Sequence, residues 1–88
     1  MSLYEPIDVW QRCSATKLKR YRCFRNVVSG RYSVQSADFY KLPVDTESAV
    51  QLERQWLELL AEQPPDERAG SFDSLRAAID AHDREFSE

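Results

Sequence analysis

The stretch of sequence that decides the fold is residues 17–41, which read KLKRYRCFRNVVSGRYSVQSADFYK. It is rich in Val, Tyr and Phe, the residue types that suit a pleated and half-buried strand surface. Gly30 lies near its middle, and glycine adopts the left-handed backbone of a tight turn at no steric cost. The stretch therefore predicts a β-hairpin with strands at residues 18–28 and 31–41.

The turn chemistry favours a three-residue loop, Val28-Ser29-Gly30, in which Gly30 is left-handed after a type I turn. The two-residue turns fit less well, because Ser29 disfavours a positive φ and the glycine comes second rather than first. The three-residue register predicts three facing pairs: Val27 with Arg31, Phe24 with Val34, and Arg20 with Asp38. A shift of one residue would exchange the buried and the exposed side of the first strand.

Alternation along the second strand separates two faces of the sheet. The face predicted to be core carries Tyr32, Val34, Ser36, Asp38 and Tyr40. The face predicted to be solvated carries Arg31, Ser33, Gln35, Ala37, Phe39 and Lys41. The first strand adds to the solvated face either Lys19 and Arg25 with Tyr21, or Arg20 and Arg22 with Phe24, depending on the register. The sequence thus predicts a basic outer face that also carries aromatic rings.

Residues before the hairpin are predicted to add a third strand. Residues 7–13 alternate between apolar and polar side chains, although a helical turn is the competing interpretation. A strand is favoured because a two-stranded hairpin alone is at best marginally stable in water. Pro43 cannot continue the ladder, so the sheet is expected to end there.

Two helices are predicted after the sheet. Apolar residues recur at helical spacing over residues 46–62, with Asp45 or Thr46 as the cap and Trp56 in the core, and again over 71–86 after Ser71. The expectation is one small α+β domain over residues 1–88, a small antiparallel sheet with both C-terminal helices packed on one face. The other face is then left to water or to a partner.

Charge is divided unevenly along the chain. Residues 1–41 carry eight Lys/Arg against three Asp/Glu, a net charge of +5, and residues 42–88 carry four against twelve, a net charge of −8. Such a split predicts electrostatic pairing, either within the fold or with another molecule. The overall pI of about 5.1 argues against a nucleic acid as the partner.

The sequence shows no pattern typical of a catalytic or metal site. Cys13 and Cys23 are expected to be reduced thiols, with a disulfide as the alternative, and His82 is expected to be solvated near a helix end. Asp38 is expected to pair with Arg20 or a tyrosine hydroxyl. No cofactor is predicted. With neither an apolar run long enough to cross a bilayer nor a recognisable signal peptide, the expected location is the cytoplasm.

These observations predict a non-catalytic interaction module that binds a protein partner, or a second copy of itself, through the basic outer face of the sheet. The predicted contact residues are Arg22, Arg25, Arg31, Phe39 and Lys41, with Trp10 at the rim. The alternative is a nucleic-acid-binding module that uses the same basic and aromatic face. A small enzyme or ligand-binding domain ranks third, and neither a membrane nor a small-molecule substrate is indicated.

Overall fold

The chain folds as an antiparallel sheet followed by helices. A computed structural model describes residues 2–86; Met1, Ser87 and Glu88, which the predicted domain includes, lie outside the described residues. The elements in chain order are β1 Tyr4–Ser14, β2 Lys17–Asn26, β3 Tyr32–Lys41, α1 Thr46–Glu62, α2 Pro65–Ala69 and α3 Leu75–Phe86. The three strands pair in the order β1-β2-β3. The predicted α+β fold class is confirmed.

The third strand and the first helix form where the sequence predicts them. β1 contains the predicted residues 7–13 and is longer, because Tyr4, Glu5 and Pro6 also pair with the end of β2. α1 has the predicted bounds, and Asp45 is its cap: the Asp45 carboxylate accepts a hydrogen bond of 3.1 Å from the backbone N–H of Glu47. This bond satisfies one of the backbone donors that a helix start leaves unpaired.

The region after α1 differs from the prediction at two points. α3 begins at Leu75 rather than at residue 71, because the backbone of Phe72 forms an antiparallel bridge with Tyr32 and is not available to a helix. Ser74, not Ser71, caps the helix: its Oγ accepts from the N–H of Ala77 at 3.1 Å. The predicted loop contains the short helix α2, which begins after Pro64.

The hairpin turn is longer than predicted. Gly30 has the predicted left-handed backbone, with φ of +74°. The side-chain oxygen of Asn26 accepts hydrogen bonds from the N–H groups of Val28 and Ser29, at 2.9 and 3.1 Å. This local Asx geometry draws the chain out of the ladder, so β2 ends at Asn26 instead of continuing to residue 28.

A β-bulge divides the hairpin into two registers. On one side of the bulge Arg20 pairs with Asp38, as predicted; on the other side Phe24 pairs with Ser33 rather than with Val34. Val27 lies outside the ladder and does not face Arg31 as predicted. The extra residue on β3 is Gln35. Because a bulge inserts one residue into one strand, the residues of β3 change sides of the sheet at this point.

Helices cover both faces of the sheet, so the prediction that they share one face is wrong. Tyr21, Cys23 and Val34 are buried in the core beneath α3 together with Ala78 of that helix. Phe24, which follows Cys23 and points to the opposite face, stacks on Trp56 of α1, with ring centroids 5.9 Å apart. The sheet therefore lies between α3 on one side and α1 on the other.

The predicted outer face is consequently not an open surface. Ser33 and Gln35, two of its expected members, are only 3% and 8% exposed. Ala37, a third, packs against the core beneath α3. The remaining members of that set, Arg31, Phe39 and Lys41, are exposed, but they lie near opposite ends of β3.

Candidate functional site

The arginines of the hairpin are occupied by carboxylates of the same chain. Arg22 is 1% exposed, which contradicts its predicted place on an outer contact surface. Its guanidinium donates to Glu53 of α1 at 2.8 Å and to Asp38 of β3 at 3.3 Å, and it lies 5.0 Å from the ring of Trp56. Burial is the largest single effect and lowers the pKa of Arg22, but the hydrogen bond to Glu53 and the charges of Glu53 and Tyr40 together outweigh it, so the net pKa is raised. Arg22 is a structural cation.

Arg25 and Arg31 are also paired within the chain. Arg25 donates to Glu5 of β1 at 2.8 Å. Arg31 is bound to the carboxylate of Asp73, and it also donates to the hydroxyl and the carbonyl oxygen of Ser71, at 3.0 and 2.9 Å. Both arginines therefore hold the end of the sheet near the hairpin turn to neighbouring segments, and neither lies near Phe39.

Trp10 is separated from the other predicted contact residues. Its side chain is 50% exposed and lies 5.3 Å from the ring of Tyr40 and 5.1 Å from the guanidinium of Arg20. Arg20 in turn donates to Asp8 at 2.6 Å. By strand alternation Trp10 is on the α1 side of the sheet and Phe39 on the α3 side. Of the six predicted contact residues, the structure brings only Phe39 and Lys41 together.

Three lysines surround Phe39 at the end of the sheet. Phe39 is 55% exposed, and the amines of Lys17 and Lys19 lie 4.7 and 5.5 Å from its ring centroid. Lys17 pairs with Lys41 across β2 and β3, and Lys19 pairs with Phe39. Lys19 is 3.6 Å from the carboxylate of Asp83. We call Lys17, Lys19, Phe39 and Lys41 the lysine–phenylalanine cluster.

Lys17 and Lys41 are the cations of this cluster that have no ion pair among residues 2–86. Like charges directly opposite each other in an antiparallel pair destabilise it. Cation–π contact of Lys17 with Phe39 offsets part of this repulsion. A carboxylate from another molecule would offset more of it, so the cluster is suited to an acidic partner.

Sequence reasoning missed Lys17, although the signal for it was present. The predicted register, extended from Arg20 opposite Asp38 to the end of the hairpin, pairs Lys17 with Lys41 and Lys19 with Phe39. The observed ladder has this register only because the extra residue at the bulge offsets the shift that the longer turn introduces. The pairings of the cluster therefore agree with the predicted register, but the turn and the bulge that produce them were not predicted.

Two grooves flank Phe39. One, of about 490 Å³, lies between the end of β3 and the first half of α1, where Ala49 and Leu52 line it. The other, of about 640 Å³, lies between β3 and the end of α3, where His82 and Phe86 line it. Both volumes fall in the range of ordinary ligand and peptide sites. The exposed Phe39 forms the ridge between them.

Cys23, Asp38 and His82, the titratable residues singled out from the sequence, are each buried or paired within the described part of the chain. Burial raises the pKa of the Cys23 thiol to about 12, so it is not a nucleophile at neutral pH. Asp38 is bound to Arg22 rather than to Arg20 or a tyrosine hydroxyl as predicted. His82 is not solvated as predicted: its side chain is 11% exposed, between the rings of Tyr21 and Phe86.

Within residues 2–86 no group of three or more His, Cys, Asp or Glu side chains is arranged to hold a metal ion. In the same part of the chain, none of the helices combines the length and the apolar character needed to cross a membrane.

Comparisons with protein-family models, with curated proteins and with solved structures find no match to this chain. Function is therefore inferred from the side chains described above.

Proposed function

We propose that this chain is a non-catalytic protein-interaction module and that its contact surface is the lysine–phenylalanine cluster with the two grooves beside it. The observation that carries the proposal is the position of Phe39, more than half exposed between two grooves and next to two unpaired lysines. Aromatic residues are enriched at the buried core of protein interfaces. In the proposal the module works in the cytoplasm, where the exposed Cys13 stays reduced.

An acidic protein surface is the partner that fits the charges. Lys17 and Lys41 have no carboxylate of their own among the described residues, whereas the arginines of the hairpin do. Complementary charge across an interface speeds association and selects the partner. A second copy of the chain could provide such a surface through α1, whose exposed side carries Val50 and Leu57, 52% and 54% exposed, among glutamates.

A nucleic acid is the second candidate partner, and one observation favours it. An exposed aromatic ring beside lysines is the arrangement on which single-stranded bases stack while cations contact phosphates. Asp83 and Glu85 near the same end of α3 oppose it, because they would repel a polyanion, and so does the net charge of −3. The protein partner is therefore preferred.

Sedimentation velocity and affinity capture test the proposal together, with the double variant Lys17→Glu/Lys41→Glu and with Phe39→Ser. We expect a self-association that weakens between about 50 and about 500 mM salt, or proteins that the wild-type chain retains and both variants lose. Arg25→Glu and Val28→Ser are matched controls, since both residues lie near the hairpin turn, at the end of the sheet opposite the cluster.

Two results would contradict the proposal. One is a chain that stays monomeric at every salt concentration and retains no protein that depends on the cluster. The other is tight binding of a labelled single strand of about 16 nucleotides at about 50 mM salt, with a steep salt dependence that both variants abolish. The second result would establish the nucleic-acid module instead.

A further inference from the structure

The outer edge of β3 is open over its last six residues. β3 is an edge strand, and the chain itself uses the start of this edge: Tyr32 and Phe72 exchange two backbone hydrogen bonds of 2.8 Å. Beyond Tyr32, within residues 2–86, the outward backbone groups of β3 have no backbone partner. Residues 36–41 thus present roughly 20 Å of unpaired strand edge.

The outward N–H groups of this edge can be identified. The N–H of Leu42 points inward, to the carbonyl oxygen of Thr16 at 2.8 Å. Inward and outward groups alternate along an antiparallel strand, so Lys41, Phe39 and Ala37 direct their N–H groups outward. The carbonyl oxygens of an added strand would accept hydrogen bonds from these three N–H groups.

Grooves lie on both sides of the open edge. On the α1 side, the groove of about 490 Å³ continues into one of about 170 Å³ between Ala37 and Trp56. On the α3 side, the groove of about 640 Å³ adjoins one of about 280 Å³ beneath Phe86. Successive side chains of a strand point to opposite faces, so an added strand would direct alternate side chains into the two sets of grooves. The other edge of the sheet, β1, contains Pro6, which lacks an N–H donor.

Gln35, beside the open edge, is a buried polar residue whose side-chain amide reaches α1 and is only partly paired. Gln35, at the bulge, is 8% exposed; its amide nitrogen donates to the carbonyl oxygen of Trp56 at 3.2 Å. Its side-chain oxygen has no hydrogen-bond partner in the described part of the chain, and Gln35 lines both α3-side grooves. A buried acceptor left unpaired costs free energy.

We propose that residues 36–41 of β3 bind an extended acidic segment of a partner protein, which adds to the sheet as a fourth strand. The segment would place apolar side chains in the grooves beside Phe39 and a carboxylate near Lys17 and Lys41. This inference rests on the proposed function and specifies its partner. β-Strand addition draws affinity from backbone hydrogen bonds and specificity from pockets for alternate side chains.

A second copy of the chain fits the edge less well than a separate acidic segment. The open edge contains one carboxylate, Asp38, and it is already bound to the buried Arg22. Two edges pairing with each other would therefore bring no free carboxylate to the lysines. α1 and α3 also flank the edge on both faces, which leaves room for an extended segment rather than for another domain.

Selection from a displayed library of random ten-residue peptides tests the inference without knowledge of the natural partner. We expect the wild-type chain to enrich peptides that alternate apolar residues and carry Asp or Glu at one end. A selected peptide should protect the amides of Ala37, Phe39 and Lys41 from hydrogen exchange. Enrichment of peptides with no acidic residue, or protection confined to other amides, would overturn the inference.

Variants distinguish a partner segment that adds to the sheet as a strand from one that contacts only the lysine–phenylalanine cluster. Ala37→Pro removes one outward donor but no hydrogen bond to β2, and we expect it to weaken binding of a selected peptide at least about tenfold. Lys17→Glu/Lys41→Glu should do the same, and Arg25→Glu, at the hairpin-turn end of the sheet, should not. If Ala37→Pro does not fold, the amide protection map of the wild-type chain decides alone.

The two proposals can fail separately. Peptides that depend on the lysines and Phe39 but leave the edge amides unprotected would support the interaction module and overturn strand addition. If the selection yields no peptide but sedimentation or capture finds a partner, the interaction module is likewise supported and strand addition is overturned. A chain that shows no partner in any of these experiments would overturn both.

Discussion

At the scale of single residues, Arg22 has a role that its neighbours in sequence do not predict. It lies in a run of cations, yet it is buried between Asp38, Glu53 and the ring of Trp56. Desolvating an ion pair is costly, so its net contribution to stability is small, but removing one member leaves the other uncompensated. The carboxylate of Asp38 is the more vulnerable member, since its side chain is only 14% exposed and that of Glu53 is 50% exposed.

Arg22→Ala should therefore lower the free energy of unfolding by about 3–5 kcal/mol. Arg22→Met should lower it less, because methionine fills the space beneath Trp56 without a charge. The matched control is Arg25→Ala, whose ion pair with Glu5 is exposed and should be worth at most about 1 kcal/mol. Urea unfolding followed by circular dichroism measures all three. Equal losses for Arg22→Ala and Arg25→Ala would show that the buried pair has no special role.

At the scale of elements, α1 is the least firmly held part of the fold. None of its seventeen residues is buried, and Val50 and Leu57 are exposed. It is joined to the sheet through the stacking of Trp56 on Phe24, the ion pairs of Glu53, and the hydrogen bond from Gln35 to its backbone. A helix of this length is marginal by itself in water, so these contacts decide whether it forms.

Trp56→Ala should release α1 while leaving the sheet folded. We expect the amides of Thr46–Glu62 to exchange at least about tenfold faster, with the amides of β2 still protected, since elements with few buried contacts open separately. Leu57→Ala is the control, because that side chain is 54% exposed. Hydrogen exchange resolved by residue makes the measurement. Equal loss of protection in α1 and β2 would mean that the helix and the sheet unfold as one unit.

Some features of the elements could be predicted from local sequence signals, and others could not. The bounds of α1 and the left-handed Gly30 follow from local chemistry, and both are confirmed. The start of α3 was missed because Phe72 satisfies its backbone in a bridge to Tyr32, forty residues away in sequence. The bulge at Gln35 was missed because no residue type in β3 marks its position.

At the scale of the whole molecule, the basic and acidic halves of the chain pair with each other. The carboxylates of Glu53, Asp73 and Asp83 reach cations of the hairpin. The charge split is therefore largely used within the fold, and Lys17 and Lys41 are left without an ion pair among residues 2–86. The packing of α3 on the sheet brings a further titratable group, His82, into the interior between Tyr21 and Phe86.

Stability should decline below about pH 6.5 because of His82. Burial, reinforced by the charge of Lys19 on β2, lowers its pKa, while Asp83 and Glu85 on α3 partly oppose this shift. A folded-state pKa below the unfolded value of about 6.5 means that the unfolded chain takes up the proton first. The contribution of His82 is thus present above about pH 6.5 and lost as the pH falls through the folded-state pKa.

His82→Phe keeps an aromatic ring against Tyr21 and cannot titrate. We expect the free energy of unfolding of this variant to change less between about pH 7.5 and about pH 5 than that of the wild-type chain. Urea unfolding at the two pH values makes the comparison, and most carboxylates stay ionised throughout this range. An equal decline in both proteins would assign the pH dependence to other groups.

The sequence by itself determined the α+β class, the presence of a third strand, the bounds of α1 and the left-handed Gly30, because these depend on periodicity, turn chemistry and capping within a few residues. Only the tertiary structure decided that helices cover both faces, that Arg22 is buried, and that Phe39 lies between two grooves beside an open strand edge. The physical reason is that those features arise from contacts between segments far apart in the chain. A single extra residue at Gln35 exchanges the two faces of β3, and no local pattern records which face a distant helix will cover.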